Sequence, residues 1–271
     1  MSPAVLARHE PVMGSVVSLR IDHDDGDTGG LEAAVEEAVA ELHRLDRIFS
    51  TWKPESPLSR WRRGELPLEE LPPEVPEVLA RCAEAKMTTA GYFDPWAMAG
   101  GVDPTGLVKG WAIERAASLL PRDEVLGTLV NGGGDIAASG SEEGRHPWRV
   151  GIRHPWRPEA LACVVELAGG RAIATSGRYE RGEHLIDPHA TATGQPRGAL
   201  VVSASVVGPS LAMADAYATA LAVAGEDERP LGGVLAAGYE VYRIFEQGRE
   251  EASDGFPFLA EGTTPAGARH R

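Results

Sequence analysis

The sequence predicts an α+β fold in which one sheet is flanked by helices. Segments with β-type alternation cluster in the middle of the chain, whereas helical patterns stand toward both ends. Regular alternation of strand and helix is rare, which disfavours a doubly wound parallel sheet. We therefore expect a mixed sheet with helices packed on it and a ligand cleft between two lobes.

The composition limits the kinds of molecule that the protein is expected to bind and indicates its cellular compartment. The 271 residues carry a formal net charge of −14, which argues against nucleic acid and anionic membranes as main partners. No apolar run is long enough to cross a bilayer, and the first residues lack the apolar core of a signal peptide. We expect a cytoplasmic protein without membrane insertion.

The domain prediction is a single unit over residues 1–250. The Gly-, Pro- and Glu-rich residues 251–271 are expected to form a flexible tail. Cys82 and Cys163 lie far apart in the sequence and fit no metal cluster, so both are predicted to be buried, reduced thiols.

The first half of the chain is predicted to be mostly helical after one strand. Val12–Ile21 alternates in β fashion. Helical spacing of apolar residues marks Leu31–Phe49, Val75–Ala90 and Leu107–Leu120. The Pro- and Ser-rich stretch Lys53–Arg60 is predicted to be a loop.

The second half is predicted to supply most of the sheet. A helix capped by Ser210 is expected to run to Ala224, followed by a short helix at Pro230–Ala237. The predicted strands are Thr128–Asn131, Ile136–Ala138, Trp148–Ile152, Leu161–Leu167, Ala172–Ala174, Leu200–Val207 and Val241–Glu246.

Polar chemistry is densest in residues 175–194. Thr175-Ser176-Gly177 forms a hydroxyl-rich turn whose backbone N–H groups could face an anion. His184, close to Asp187, is a candidate base or phosphate contact. The alternative is a polar hairpin with a solvated histidine.

Lys109 is predicted near a helix N-terminus, where an ammonium, backbone N–H groups and the helix dipole can together hold a phosphate. The alternative is a surface lysine on an amphipathic helix. Neither Gly-rich stretch of the chain fits a dinucleotide fingerprint or a Walker loop.

Asp215 and Thr219 stand one turn apart on a helix that is apolar on nearly every face. Burying an unpaired carboxylate costs several kcal/mol, so Asp215 needs a cation or donors. Carboxylate and hydroxyl oxygens are ligands of the kind that Mg²⁺ takes. The alternative places Asp215 at a solvated edge, with Thr219 bonded back to the preceding turn.

Taken in order from about Met13 to Phe245, these segments resemble the ApbE family of FAD:protein FMN transferases. The motifs that carry the resemblance are Met13-Gly14-Ser15, Phe49-Ser50-Thr51-Trp52, Phe93-Asp94-Pro95, Asp103–Arg115, Val130–Ile136, Thr175-Ser176-Gly177, His184–Pro188 and Asp215–Ala220. The chain departs from the family in a much shorter segment between Asp94 and Asp103, and in Glu114 where the family has Asp.

The resemblance implies a T-fold-like enzyme with FAD in its cleft. It implies transfer of FMN from FAD to a Thr or Ser hydroxyl of an FMN-binding flavoprotein, with release of AMP. It further implies Mg²⁺ held by the backbone carbonyl of Val108 and the side chains of Asp215 and Thr219. Two other functions stay open: Mg²⁺-dependent hydrolysis of FAD to FMN and AMP, and FAD binding without turnover.

The resemblance also suggests roles for further residues. His184 is expected to assist the acceptor hydroxyl, with Asp187 orienting it and Lys109 offsetting phosphate charge. The residues expected to contact FAD are Met13, Trp52, Asp94, Asp103, Lys109, Glu114, Ser176 and Gly177.

Overall fold

A computed structural model of the chain describes most residues between 3 and 259. The described residues are 3–24, 26, 28–98, 100–122, 125–140, 147–168, 170–177, 189 and 199–259.

In this described part, eight strands form one sheet in which every neighbouring pair is antiparallel. In sheet order they are Ala4–Val12 (β1), Ser15–His23 (β2), Gly127–Gly132 (β3), Asp135–Gly140 (β4), Ala172–Gly177 (β7), Val201–Gly208 (β8), Glu240–Phe245 (β9) and Glu250–Ala252 (β10). Trp148–His154 (β5) and Arg157–Leu167 (β6) form a separate hairpin.

The helices are Gly29–Phe49 (α1), Pro57–Arg62 (α2), Glu74–Thr88 (α3), Thr105–Ser118 (α4), Leu211–Ala224 (α5) and Arg229–Ala236 (α6). Short 3₁₀ turns stand at Leu68–Glu70 and Pro95–Ala97. The predicted α+β class is confirmed. The strands are antiparallel where mixed directions were expected. Among the described strands of the main sheet, six of the seven neighbouring pairs are consecutive along the chain, and tight turns join β1 to β2, β3 to β4 and β9 to β10.

One face of the sheet packs on the helices. Val17 and Leu19 of β2 point into this core together with Trp111 of α4 and Tyr217 of α5. Every residue of α5 except Thr219 is buried, as expected of a helix that is apolar all round. This places α5 between the sheet and the other helices.

The hairpin β5–β6 packs on the opposite face. Ile136, Ile173 and Tyr242 of the main sheet join Trp148 and Cys163 of the hairpin in a second apolar cluster. Alternate residues of the same strands belong to the first core, as the two-residue period of a strand requires. The main sheet is therefore covered by helices on one face and by the hairpin on the other.

The chain continues in ordered structure past residue 250, where the sequence analysis expected a flexible tail. Phe256 is buried in the second cluster. Leu259 donates its N–H to the carbonyl oxygen of Val164 at 2.9 Å. Aromatic residues at 256 and 258 override the polar composition that suggested fraying, and residues 260–271 lie outside the described part.

Cys82 and Cys163 are buried free thiols, as predicted. Burial raises the pKa of each thiol to about 12. Among the described residues, no helix has both the length and the apolar character needed to cross a membrane.

Candidate active site

Helices α4 and α5 meet in a close seam that contains Asp215. The backbone N–H of Gly110 donates to Asp215 Oδ2 at 3.1 Å, and Asp215 is only 3% exposed. A Cβ atom at position 110 would lie 2.6 Å from the carbonyl oxygen of Leu211. Glycine is therefore required for the approach that lets α4 contact the Asp215 carboxylate.

Thr219 of α5 lies beside Gly106, at the start of α4. A Cβ atom at Gly106 would lie 3.7 Å from Thr219 Oγ1. Thr219 Oγ1 is also 3.1 Å from Ser176 Oγ, at the end of β7. Asp215 and Thr219 thus bracket the short segment from Gly106 to Gly110, which contains Val108 and Lys109.

Lys109 points to the sheet and pairs with Asp135, a carboxylate that is not among the predicted site residues. Its Nζ lies 2.6 Å from Oδ2 of the fully buried Asp135. Oδ1 of Asp135 accepts a long hydrogen bond, 3.4 Å, from the backbone N–H of Thr175. The sequence does contain a sign that Asp135 has a special role. This aspartate stands directly between a Gly-rich turn and an apolar strand, where a buried charge needs a partner.

These groups gather at one end of the sheet, where strands β4 and β7 separate. Their pairing covers only Ile136–Ile173 and Ala137–Ala172, so it ends before Asp135. The turns that join β1 to β2 and β3 to β4 lie at this end. A Cβ atom at Gly133 would lie 3.0 Å from Ser15 Oγ.

Met13 and Gly177 also belong to this end of the sheet. Met13 lies in the turn between β1 and β2 with a positive φ of 54°, and Gly177 is the last residue of β7. Trp52 follows α1 and is 93% exposed, so its ring is open to a ligand.

The three other acidic residues predicted to contact FAD each have partners within the protein. Asp94 accepts from the backbone N–H of Trp96 and pairs with Lys86 at 2.7 Å. Asp103 accepts from the backbone N–H of Thr105 at 3.0 Å, where α4 begins.

Glu114 accepts from Ser210 Oγ at 2.8 Å and from the backbone N–H of Ala212 at 3.1 Å. It therefore caps α5 in place of Ser210, whose side chain makes no capping bond to the helix. The prediction places the N-terminus of α5 correctly at Ser210, but the side chain that caps the helix is Glu114 and not Ser210.

His184 and Asp187 lie outside the described residues, so their assigned roles stay predictions. Within the described part of the chain, no three His, Cys, Asp or Glu side chains form a metal-binding group. A metal held in the seam would depend on Asp215 as its charged ligand, supplemented by neutral oxygens. Mg²⁺ accepts such a set, because it keeps several waters and shares phosphate oxygens.

A buried carboxylate, hydroxyls and a lysine at a helix N-terminus are the groups that a site for a phosphate-bearing ligand uses. The chain belongs to the ApbE family, whose family model matches residues 13–102 and 99–231. This confirms the resemblance read from the motifs.

The comparisons with curated relatives cover part of each protein. The chain is 36% identical over 156 residues to the FAD:protein FMN transferase of Rhodobacter capsulatus, covering 54% of this chain and 28% of the relative. It is 34% identical over 172 residues to that of Vibrio cholerae, covering 59% and 50%. The chain therefore spans half or less of the length of these relatives.

Solved structures share the fold over nearly the whole chain. The flavin transferase ApbE from Vibrio cholerae matches with a TM-score of 0.75 at 24% identity, over 95% of this chain and 100% of that chain. The apo form of Pseudomonas stutzeri flavinyl transferase ApbE matches with a TM-score of 0.71 at 25% identity, over 92% and 93%.

Proposed function

We propose that this protein transfers FMN from FAD to a Thr or Ser hydroxyl of an FMN-binding flavoprotein and releases AMP. The observation that carries the proposal is the seam in which Asp215 and Thr219 bracket Val108 and Lys109. Family membership adds to it, since curated relatives carry the name FAD:protein FMN transferase.

The seam fits the Mg²⁺ that the family resemblance implies. The Val108 carbonyl and the side chains of Asp215 and Thr219 would hold the ion, and a carboxylate that is 3% exposed benefits from a nearby cation. Bound Mg²⁺ would neutralise charge on the pyrophosphate of FAD.

The chain's own residues would orient the substrate and move its proton. The acceptor oxygen forms a bond to the FMN phosphorus while the bond to AMP breaks, and the hydroxyl proton leaves to a base that we assign to His184. Asp187 would orient this histidine. Lys109, fixed by Asp135 at 2.6 Å, would sit beside the phosphates, and Ser176 would donate to them.

FAD would extend from this seam along the end of the sheet. We assign Met13, Trp52 and Gly177 to its contacts, with Trp52 offering an exposed ring for stacking. We also assign Asp94, Asp103 and Glu114 to contacts with the edge of FAD. Each would keep the hydrogen bond that it accepts from a backbone N–H.

The test is incubation of the purified protein with FAD and Mg²⁺, with and without a recombinant FMN-binding flavoprotein domain. Transfer predicts equal amounts of AMP and flavin-labelled domain, and no label on the same domain when its target Thr is changed to Ala. AMP release without label would instead favour an FAD pyrophosphatase. Tight FAD binding with neither product would favour a non-catalytic FAD-binding protein.

A further inference from the structure

An open groove of about 740 Å³ lies between the hairpin and the main sheet. Ser15 and Val16 of β2 and Asn131 of β3 line one side, and Val150–Arg153 of β5 lines the other. Val17 belongs to the helix-side core, so its neighbour Val16 faces the opposite side of the sheet. The groove therefore lies on the sheet face opposite Asp215.

The groove is continuous with the candidate active site through β7. Thr175 lines the groove, and the next residue, Ser176, contacts Thr219 on the helix side. Since β4 and β7 stop pairing after Ile136–Ile173, the end of β7 borders both the groove and the seam.

Strand β5 presents an open backbone edge to this groove. Its partner β6 is covered on its far side, where the backbone N–H of Glu166 donates to the carbonyl oxygen of Pro257 at 3.0 Å. Within the described part of the chain, Val150–Arg153 has backbone hydrogen bonds to β6 alone. Such an edge pairs readily with an extended segment of another chain.

We propose that the groove binds an extended segment of the acceptor flavoprotein, added as a strand on β5. This proposal rests on the proposed function and names how its protein substrate docks. The four residues Val150–Arg153 offer about 13 Å of strand edge. A segment seated there would bring its Thr or Ser hydroxyl to the end of β7, where Thr175 faces the groove and the next residue, Ser176, faces the seam.

The chemistry of the groove favours a peptide over the flavin itself. Its lining contains no aromatic ring among the described residues, whereas a flavin ring gains from aromatic stacking. Serine, asparagine and backbone groups supply hydrogen bonds instead.

Arg153 indicates the charge of the segment. It is exposed at the groove and forms no ion pair within the described residues, on a protein with a net charge of −14. A carboxylate on the bound segment would satisfy this cation and help to fix the register.

The experiment compares two groove variants with two matched surface variants. Val16→Arg fills the groove, and its control, Val5→Arg, changes an equally exposed valine on β1 (55% and 49% exposed). Arg153→Glu reverses the charge in the groove. Its control, Arg157→Glu, changes an exposed arginine of the same hairpin outside the groove lining.

The probe is the recombinant FMN-binding domain, with binding followed by fluorescence anisotropy and transfer by flavin label. We expect both groove variants to raise the Kd and the KM for the domain about tenfold. The Kd for FAD should stay unchanged, and both controls should stay within about twofold of the wild type.

Each other outcome overturns one of the two proposals. Unchanged binding of the domain by the groove variants overturns the docking proposal while transfer stands. An equal loss of FAD affinity assigns the groove to the flavin. A wild type that binds the domain but forms neither AMP nor label overturns the proposed function, and weaker binding by the groove variants would then still support docking. A wild type without affinity for the domain overturns docking of this class of partner.

Discussion

Asp135 fixes Lys109 at the end of the sheet, and the pair carries a prediction about stability. Asp135 is fully buried, and the Lys109 side chain is 19% exposed. Asp135→Asn removes the charge that Lys109 pairs with at 2.6 Å, so we expect a loss of up to about 3 kcal/mol in the free energy of unfolding. Urea denaturation of Asp135→Asn, Lys109→Met and the double variant measures the coupling.

The double variant is the internal control of that experiment. Because it removes both charges together, it should be less destabilised than the two single variants summed. Additive effects would show that the two side chains act independently, contrary to the 2.6 Å contact.

Asp215 carries the prediction about the metal. Asp215→Asn keeps the shape of the side chain but removes the charge, so AMP release should fall by orders of magnitude and recover partly at high Mg²⁺. Mg²⁺ should raise the Tm of the wild type by linkage, and that of the variant much less. Activity and Tm measured against Mg²⁺ concentration provide the test.

Thr219 offers a matched pair for the same site. Thr219→Ser keeps the hydroxyl and should keep the dependence on Mg²⁺, whereas Thr219→Val should weaken it. If neither the activity nor the Tm of the wild type changes when Mg²⁺ or EDTA is added, the metal assignment is ruled out.

The sequence indicated the helix-side residues of the candidate site better than the sheet-side ones. Asp215 stood out because a carboxylate on an apolar helix needs a partner, and the structure supplies the N–H of Gly110. Asp135 was missed because its partner, Lys109, is 26 residues away, and this pairing depends on how α4 crosses the sheet. The spacing of residues along the chain does not show how a helix will cross a sheet.

At the scale of elements, the contact between α4 and α5 depends on Gly110. A methyl group at this position would lie 2.6 Å from the Leu211 carbonyl oxygen, so Gly110→Ala must push the helices apart. We expect a cost of about 1–3 kcal/mol in unfolding free energy, together with weaker Mg²⁺ binding because Asp215 moves. Urea denaturation and Mg²⁺-dependent Tm shifts measure both effects.

Gly232 is the matched control for that substitution. It lies on α6, and a Cβ atom there would meet nothing within 4 Å. Gly232→Ala should therefore stabilise the protein by about 0.4–1 kcal/mol by restricting the unfolded chain. Equal effects of the two substitutions would contradict the assigned role of Gly110.

Most long elements were predictable from periodicity, and the errors have local causes. Strand β1 was missed because an edge strand with Arg8, Glu10 and Pro11 lacks the usual apolar alternation. The Pro- and Ser-rich sequence around Pro57 predicts a loop where the structure has helix α2. Proline is favourable at a helix start, and Ser56 caps this helix through the N–H of Ser59 at 3.0 Å.

At the scale of the whole molecule, Asp227 joins segments that are distant in sequence. It accepts from Tyr92 Oη at 2.7 Å and from Arg229 Nη2 at 2.8 Å. The guanidinium of Arg229, and after it the hydroxyl of Tyr92, hold the pKa of Asp227 well below its usual range. Because the pKa of Asp227 is lower in the folded protein than in the unfolded chain, the ionised carboxylate stabilises the fold at pH values above the unfolded pKa. This stability is lost as the pH falls.

Asp227→Asn should therefore lower the Tm at neutral pH. Protonation removes the advantage of the wild type, so the difference in Tm should shrink below about pH 4. Asp254→Asn, at an exposed position, should show no such difference at any pH. Thermal melts from pH 3 to pH 8 provide the measurement. A gap that widens in acid would refute the assigned partners.

The hairpin β5–β6 leaves the main sheet after β4 and returns before β7, and those two strands are themselves neighbours. Its outer surface can therefore vary without altering the register of any strand in the main sheet, while its inner face stays packed in the second apolar cluster. The groups of the candidate metal seam lie on the far face, beside α4 and α5. Under the docking proposal, partner choice would depend on the hairpin, whereas the proposed chemistry would depend on the groups beside α4 and α5. Exchanging this hairpin between family members would then redirect which protein is modified while leaving the proposed reaction intact.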